Sequence, residues 1–228
     1  MTDAALRPAL FDVAPDLVAG VTTRAFSPAT EPLDAARTRL AEETGLAVAS
    51  VGQVHGADVA VVCGVGHVPG HDGLVTDRPG LLLTVIAADC AVVLLADPEA
   101  GVVGACHSGW RGTVAGVLDR TVGAMRGLGA EPGRLLAYVG PCISAEAFEV
   151  GEEVAAQFDD AVVVRRPGWA RPHVDLRAEL GRQLDALGVR PARRAAAEAC
   201  TVADDRFYSY RAEGGAAGRM LGFVGRRP

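Results

Sequence analysis

At 228 residues, half of them apolar, the chain is long enough to bury one substantial core, and no polar or low-complexity stretch divides it; residues 1–228 are therefore expected to form a single domain. A net charge of -6 and a pI of about 5.4 argue against nucleic acid or an anionic membrane as the main partner, because polyanions attract an acidic protein only through a strong local basic patch. The expectation is a monomer acting on a small molecule.

The opening residues Met1–Asp16 lack the basic-then-apolar pattern of a secretory leader. Five cysteines, Cys63, Cys90, Cys106, Cys142 and Cys200, are odd in number and widely spaced in a chain too large to need disulfide staples, which predicts a reducing cytoplasm. All 22 basic residues are arginine, a bias that carries no functional reading.

Leu17–Thr22 reads as a strand. Leu33, Ala36, Leu40 and Ala41 recur at helical spacing over Leu33–Thr44, and Gly45 stops the helix. Val51–Val54 and Asp58–Cys63 read as strands around a turn at His55-Gly56-Ala57, and glycine-rich Gly64–Gly73 as an exposed loop. From Leu81 to Ala96 the chain is almost continuously apolar, as expected of strands covered on both faces, and too short to cross a bilayer; Asp89 and Cys90 interrupt it. Gly101–His107 is a third strand. Ser108–Gly112 then turns into a helix with Val114, Val117, Leu118, Val122 and Met125 on one face. A strand over Leu135–Val139, a helix over Ala145–Phe158, a strand over Ala161–Val164 and a helix over Leu176–Leu187 continue the alternation. The tail from Cys200 to Val224 reads as two strands around a glycine-rich turn. The fold class is mixed α/β.

Two imidazoles and a thiol, His55, Cys90 and His107, stand at the edges of apolar strands, where an unpaired polar group is costly. Each alone has an ordinary reading: a free cysteine is often a small core residue, and a strand-end histidine is often capped by a carbonyl. Asp89 shifts the balance, since a carboxylate beside a thiol in an apolar strand is hard to explain by packing, whereas it could orient an imidazole or move a proton. The separations are unlike the short ligand pairs of zinc fingers, so a metal site requires tertiary convergence. Two imidazoles and a thiolate would hold Zn2+ with a fourth position open, and the same trio could hold Cu2+. Arg111, beside a helix start, suits a phosphate. His67, His71 and His173 read as solvated surface residues.

The stretches Gln53-Val54-His55-Gly56, Asp72-Gly73-Leu74-Val75-Thr76, Ala88-Asp89-Cys90, His107-Ser108-Gly109-Trp110-Arg111-Gly112, Gly140-Pro141-Cys142-Ile143, Phe148–Val154 and Phe207-Tyr208-Ser209-Tyr210-Arg211 together resemble the YfiH family of laccase-domain proteins, once called polyphenol oxidases. The likeness runs from about Gly20 to the C-terminus. It implies packed mixed β-sheets flanked by helices, distantly like the catalytic domain of cytotoxic necrotising factor. It also implies a purine nucleoside phosphorylase that accepts 5'-methylthioadenosine and deaminates adenosine, with zinc on the residues matching His55, Cys90 and His107. One departure is the segment after the matching arginine, Arg24: Ala25–Asp34 is short, and the chain has no asparagine.

In that reading purine nucleosides and phosphate are the ligands, Arg24 and Arg111 contact phosphate, and Asp89 or the metal eases departure of the base. A cysteine hydrolase or deamidase using Cys90 with His107 is the competing enzyme class. A copper polyphenol oxidase is a third, but a trinuclear copper centre needs many more imidazoles than the five histidines present. A metal-dependent binding domain without turnover is the non-enzymatic alternative.

Overall fold

A computed structural model describes residues 4–228; the part of the leader reading that falls on residues 1–3 lies outside this range. In chain order the first half comprises β1 (Ala5–Leu6), β2 (Leu17–Thr22), α1 (Leu33–Thr44), β3 (Ala47–Gly52), β4 (Val59–Val61), β5 (Gly66–Pro69), β6 (Gly73–Thr76), β7 (Leu81–Ala87), β8 (Ala91–Asp97) and β9 (Val102–Ser108). The second half comprises α2 (Trp110–Val114), α3 (Val117–Gly127), β10 (Leu136–Val139), α4 (Glu152–Ala155), β11 (Val163–Val164), β12 (His173–Val174), α5 (Leu176–Ala186), β13 (Arg194–Ala196), α6 (Tyr210–Glu213) and β14 (Met220–Arg226).

Two six-stranded mixed sheets result, ordered β1-β2-β14-β7-β3-β5 and β13-β10-β8-β9-β6-β4. Their facing sides share one apolar layer, with Val21, Val51, Leu83 and Val85 from the first sheet against Val92, Leu94, Val103 and Ala105 from the second. Alternate residues on β8 and β9 point the other way, where Val93, Leu95 and Cys106 meet Leu118, Val122 and Met125 of α3 and Leu180 and Leu184 of α5. Ala36 and Leu40 of α1 cover the outer face of the first sheet against Leu82, Leu221 and Phe223. Helix, sheet, sheet and helix thus form four layers, which is why the strand runs at Leu81–Ala96 are apolar on both faces. Gly222 lets the sheets approach: a Cβ there would overlap the Val92 side chain across the layer. Among the described residues, no helix is long and apolar enough to cross a membrane.

Several elements differ from the sequence expectation. Gly64–Gly73 is not all loop: Gly66–Pro69 adds an edge strand parallel to β3, ending at a proline that an edge tolerates. The helix after Ser108 breaks in two at Gly116, whose φ of 80° is left-handed and caps α3. Ala145–Phe158 is helical only over Glu152–Ala155, because Glu149 bridges to His173 and the Arg211 guanidinium donates to the carbonyls of Ala147 and Glu149. The tail contributes one strand rather than two. Before α6 its backbone is irregular and tied down by tertiary bonds, such as the Thr201 amide to the Cys142 carbonyl and the Tyr208 hydroxyl to the Ser27 carbonyl at 2.7 Å.

Candidate metal centre and its cavity

Three strand-end turns meet at one point. His55 lies on the turn leaving β3, Cys90 on the tight turn between β7 and β8, and His107 near the end of β9 just before α2. Their ligand atoms all lie within 4.8 Å of one another, and the two imidazole rings sit edge to face with centroids 4.8 Å apart. The sequence separations of 35 and 17 residues are therefore closed by the fold. His55 is exposed, Cys90 half-buried and His107 buried.

Two of the turns carry non-glycine residues in left-handed backbone, His55 at φ 60° and Asp89 at φ 82°. Such conformations are uncommon and persist where the surroundings hold them. Asp89 is held firmly: its carboxylate accepts the Thr201 hydroxyl at 2.6 Å and the Arg211 amide at 2.6 Å. Gly109 completes the approach. A Cβ on it would lie 2.7 Å from Cys90 Sγ and 3.2 Å from His55 Nδ1, so a larger residue would intrude on the ligand atoms.

The acid that reaches an imidazole is Asp72. Buried immediately before β6, it accepts His107 Nδ1–H at 2.8 Å, and also the amides of Val54, His55 and Gly56 at 3.1, 3.1 and 2.7 Å. Burial opposes its ionisation, but His107 and the amides of Gly56 and Val54 hold it below the usual carboxylate range. For Cys90, burial likewise favours the neutral thiol, yet hydrogen bonds to His107 and then His55 pull it down to about 7. Burial disfavours the His107 cation, and Asp72 and Cys90 outweigh it. The centre is thus poised toward thiolate, the ligating form of cysteine.

A cavity of about 720 Å³ opens above the trio. Arg111, Arg211 and Arg219 bring positive charge to it, and Trp110, Phe148 and Tyr210 bring aromatic surface. Gln53 also lines it, fixed by hydrogen bonds in both directions to the Ile86 backbone, at 2.8 and 2.7 Å. Arg111 stacks over Trp110 with its guanidinium carbon 4.3 Å from the ring centre. Arg24 is not among the cavity-lining residues. Its guanidinium pairs with Glu213, donates to the Phe207 carbonyl at 2.7 Å and lies 4.4 Å from the Tyr208 ring centre.

Of the three histidines expected at the surface, His67 is exposed, with Nδ1 2.9 Å from Ser50 Oγ, and His71 is half-buried. His173 departs from that expectation: it is buried, stacked on Trp169 at 3.7 Å, with Nδ1 2.7 Å from the Ala145 carbonyl. The bridge at Glu149 draws it in.

Residues 27–227 match the family described as multi-copper polyphenol oxidoreductase laccase. The chain belongs to this family. A purine nucleoside phosphorylase of Deinococcus radiodurans is 45% identical over 201 residues, spanning 85% of this chain and 77% of that one. An adenosine deaminase from an unknown prokaryotic organism is 38% identical over 159 residues, 67% of this chain and 61% of its own length. Among solved structures, YlmD of Geobacillus stearothermophilus superposes with a TM-score of 0.84 at 30% identity, covering 93% of each chain. These likenesses establish the laccase-domain fold of packed mixed sheets and helices, and relatives named as enzymes.

Within this laccase-domain member, sequence reasoning named His55, Cys90, His107, Asp89 and Arg111, and the fold brings all five to the cavity. It passed over Asp72, Arg211 and Arg219 as site residues. Asp72 did leave a signal, being the single acid between Asp58 and Asp77 and standing directly before an apolar run. Arg211 left only its place in the Phe207–Arg211 stretch of the family resemblance and Arg219 left none, because nothing local distinguishes a tail arginine that folds back over a distant turn from one facing solvent.

Proposed function

We propose that this protein is a metal-dependent purine nucleoside phosphorylase, acting on inosine, guanosine, adenosine and 5'-methylthioadenosine, with adenosine deamination at the same centre. The observation that carries the reading is the meeting of His55, Cys90 and His107 beneath an arginine- and aromatic-lined cavity. The donor set fits zinc: two nitrogens and one thiolate leave one position open, and the missing Cβ of Gly109 leaves room beside the sulfur. Bound there, Zn2+ would supply Lewis acidity and a water of lowered pKa. His107 presents Nε2, since Nδ1 is taken by Asp72.

The rest falls to the chain's own groups. Arg111 and Arg211 hold phosphate so that one of its oxygens attacks C1' as the bond to the purine nitrogen breaks, with Arg219 adding positive charge. Trp110 and Phe148 give the base an apolar wall that excludes water. Asp89 fixes the Arg211 backbone through its amide and sits next to Cys90. In deamination, water adds at C6 and ammonia leaves. Five free thiols fit a reducing cytoplasm as the working compartment. Purified protein given inosine and phosphate should yield hypoxanthine and ribose 1-phosphate, and His107→Ala should not; equal silence from both proteins refutes the reading.

The closeness of the Cys90 thiol to the His107 ring also suits a thiol nucleophile with a histidine base. Alkylation that inactivates metal-free, active protein would favour that reading, and zinc lost together with activity in Cys90→Ser favours the metal.

A further inference from the structure

We propose that Asp72 is the positioning residue that assembles this centre, holding both histidines through one carboxylate so that a divalent cation meets prearranged ligands. The inference rests on the metal-dependent reading above. Oδ1 accepts His107 Nδ1–H and the His55 amide, while Oδ2 accepts the amides of Val54 and Gly56. One buried group therefore fixes the tautomer of one ligand and the backbone turn of the other. The main chain adds a fifth bond, the His107 amide to the Asp72 carbonyl at 2.7 Å, so ring and strand of His107 are held by the same residue.

The carboxylate's two oxygens have about four lone-pair sites, and all are used. Asparagine, with the same shape, cannot reproduce this. If its amide nitrogen takes the Oδ2 place, it faces two N–H donors and the turn bearing His55 at φ 60° keeps one of its three amide bonds to this side chain. If it takes the Oδ1 place, it donates to His107 Nδ1, the ring proton moves to Nε2, and the nitrogen facing the centre can no longer ligate. Either orientation damages one ligand. Removal of partners of this kind characteristically weakens metal binding by roughly 10–100-fold.

The test uses full-length protein and zinc. Chelator-stripped wild type, Asp72→Asn and Asp97→Asn are titrated with Zn2+ against a chromophoric competitor. Asp97 is an equally buried carboxylate, bonded to the Glu99, Ala100 and Glu131 amides and to Arg134, with no contact to the centre. Asp72→Asn should bind zinc 10–100-fold more weakly, and Asp97→Asn as wild type does. Equal affinity in Asp72→Asn and wild type overturns the proposal, as does an equal loss in both variants. Should Asp72→Asn not fold, nitrogen NMR of histidine-labelled, zinc-loaded wild type decides. The expected signature is a slowly exchanging proton on His107 Nδ1 with zinc on Nε2; zinc on Nδ1, or no protected ring proton, overturns it. Wild type that binds zinc in this way but releases no base from nucleosides would sink the phosphorylase reading and leave Asp72's role standing.

Discussion

Replacing Asp89 by Asn separates a positioning group from a proton donor. Asparagine tolerates the left-handed backbone at φ 82°, so strain stays nearly constant. Asparagine can present Oδ1 to the Arg211 amide and Nδ2 to the Thr201 hydroxyl, which turns from donor to acceptor, so both contacts survive but neither retains a charged acceptor. A hydrogen bond to a charged acceptor contributes about 1.5–3 kcal/mol and a neutral one about 0.5–1.5, so weakening two of them by about 1 kcal/mol each gives an expected loss of about 2 kcal/mol. In a chain of this size that lowers Tm by about 4–8 °C. The Arg211 guanidinium, still bonded to the Ala147 and Glu149 carbonyls, should drift rather than leave, raising KM for phosphate several-fold with kcat little changed. Calorimetry and initial rates at varied phosphate measure both. A fall in kcat of about a hundredfold or more with unchanged Tm would refute the reasoning, since that is the mark of a lost general acid.

Other outcomes follow from the same geometry. Gly222→Val should lower stability by about 1–3 kcal/mol through the clash with Val92 while leaving zinc content unchanged, which urea melts and metal analysis would show. In metal-free protein Cys90, pulled down to about 7, should be alkylated rapidly at neutral pH, whereas Cys106 and Cys142, pushed up by burial to about 12 and about 11, should react only after unfolding; peptide mapping reads this directly. Asp97 is opposed by burial but held below its usual pKa by Arg134 and the amides of Glu131 and Ala100. A depressed folded-state pKa gives stability present above the unfolded value of about 4 and lost as pH falls through the folded value, so Asp97→Asn should flatten the acid limb of urea midpoints below about pH 5. Arg211→Ala should raise KM for phosphate more than Arg24→Ala does, because Arg211 lines the cavity whereas Arg24 reaches it only through Glu213 on α6.

The strands of the double-layered core were legible because Leu81–Ala87, Ala91–Asp97 and Val102–Ser108 are apolar at nearly every position, a pattern that only coverage on both faces explains. The helices α1 and α5 were legible for the matching reason, a single apolar stripe. Segments fixed by distant partners were not. Ala145–Val150 has helical composition, but the Glu149 bridge and the Arg211 guanidinium, 62 residues away from Glu149, decide its backbone. Within the centre, residue chemistry pointed to His55, Cys90 and His107, since imidazole and thiol stand out in aliphatic strands, and the fold brings the three together. Asp72 stood out as a lone acid before an apolar run, but its role was hidden because it depends on a pairing 35 residues long with His107, and neither composition nor spacing encodes that meeting. Arg24 shows the converse: its resemblance to a family arginine suggested an anion contact, and the fold gives it a carboxylate partner.

X-ray absorption at the zinc edge of the loaded protein tests the central claim most directly. Two imidazole nitrogens at about 2.0 Å and one sulfur at about 2.3 Å are expected around the ion, with the sulfur lost in Cys90→Ser. Zinc surrounded only by nitrogen and oxygen, unchanged by that substitution, would contradict the account.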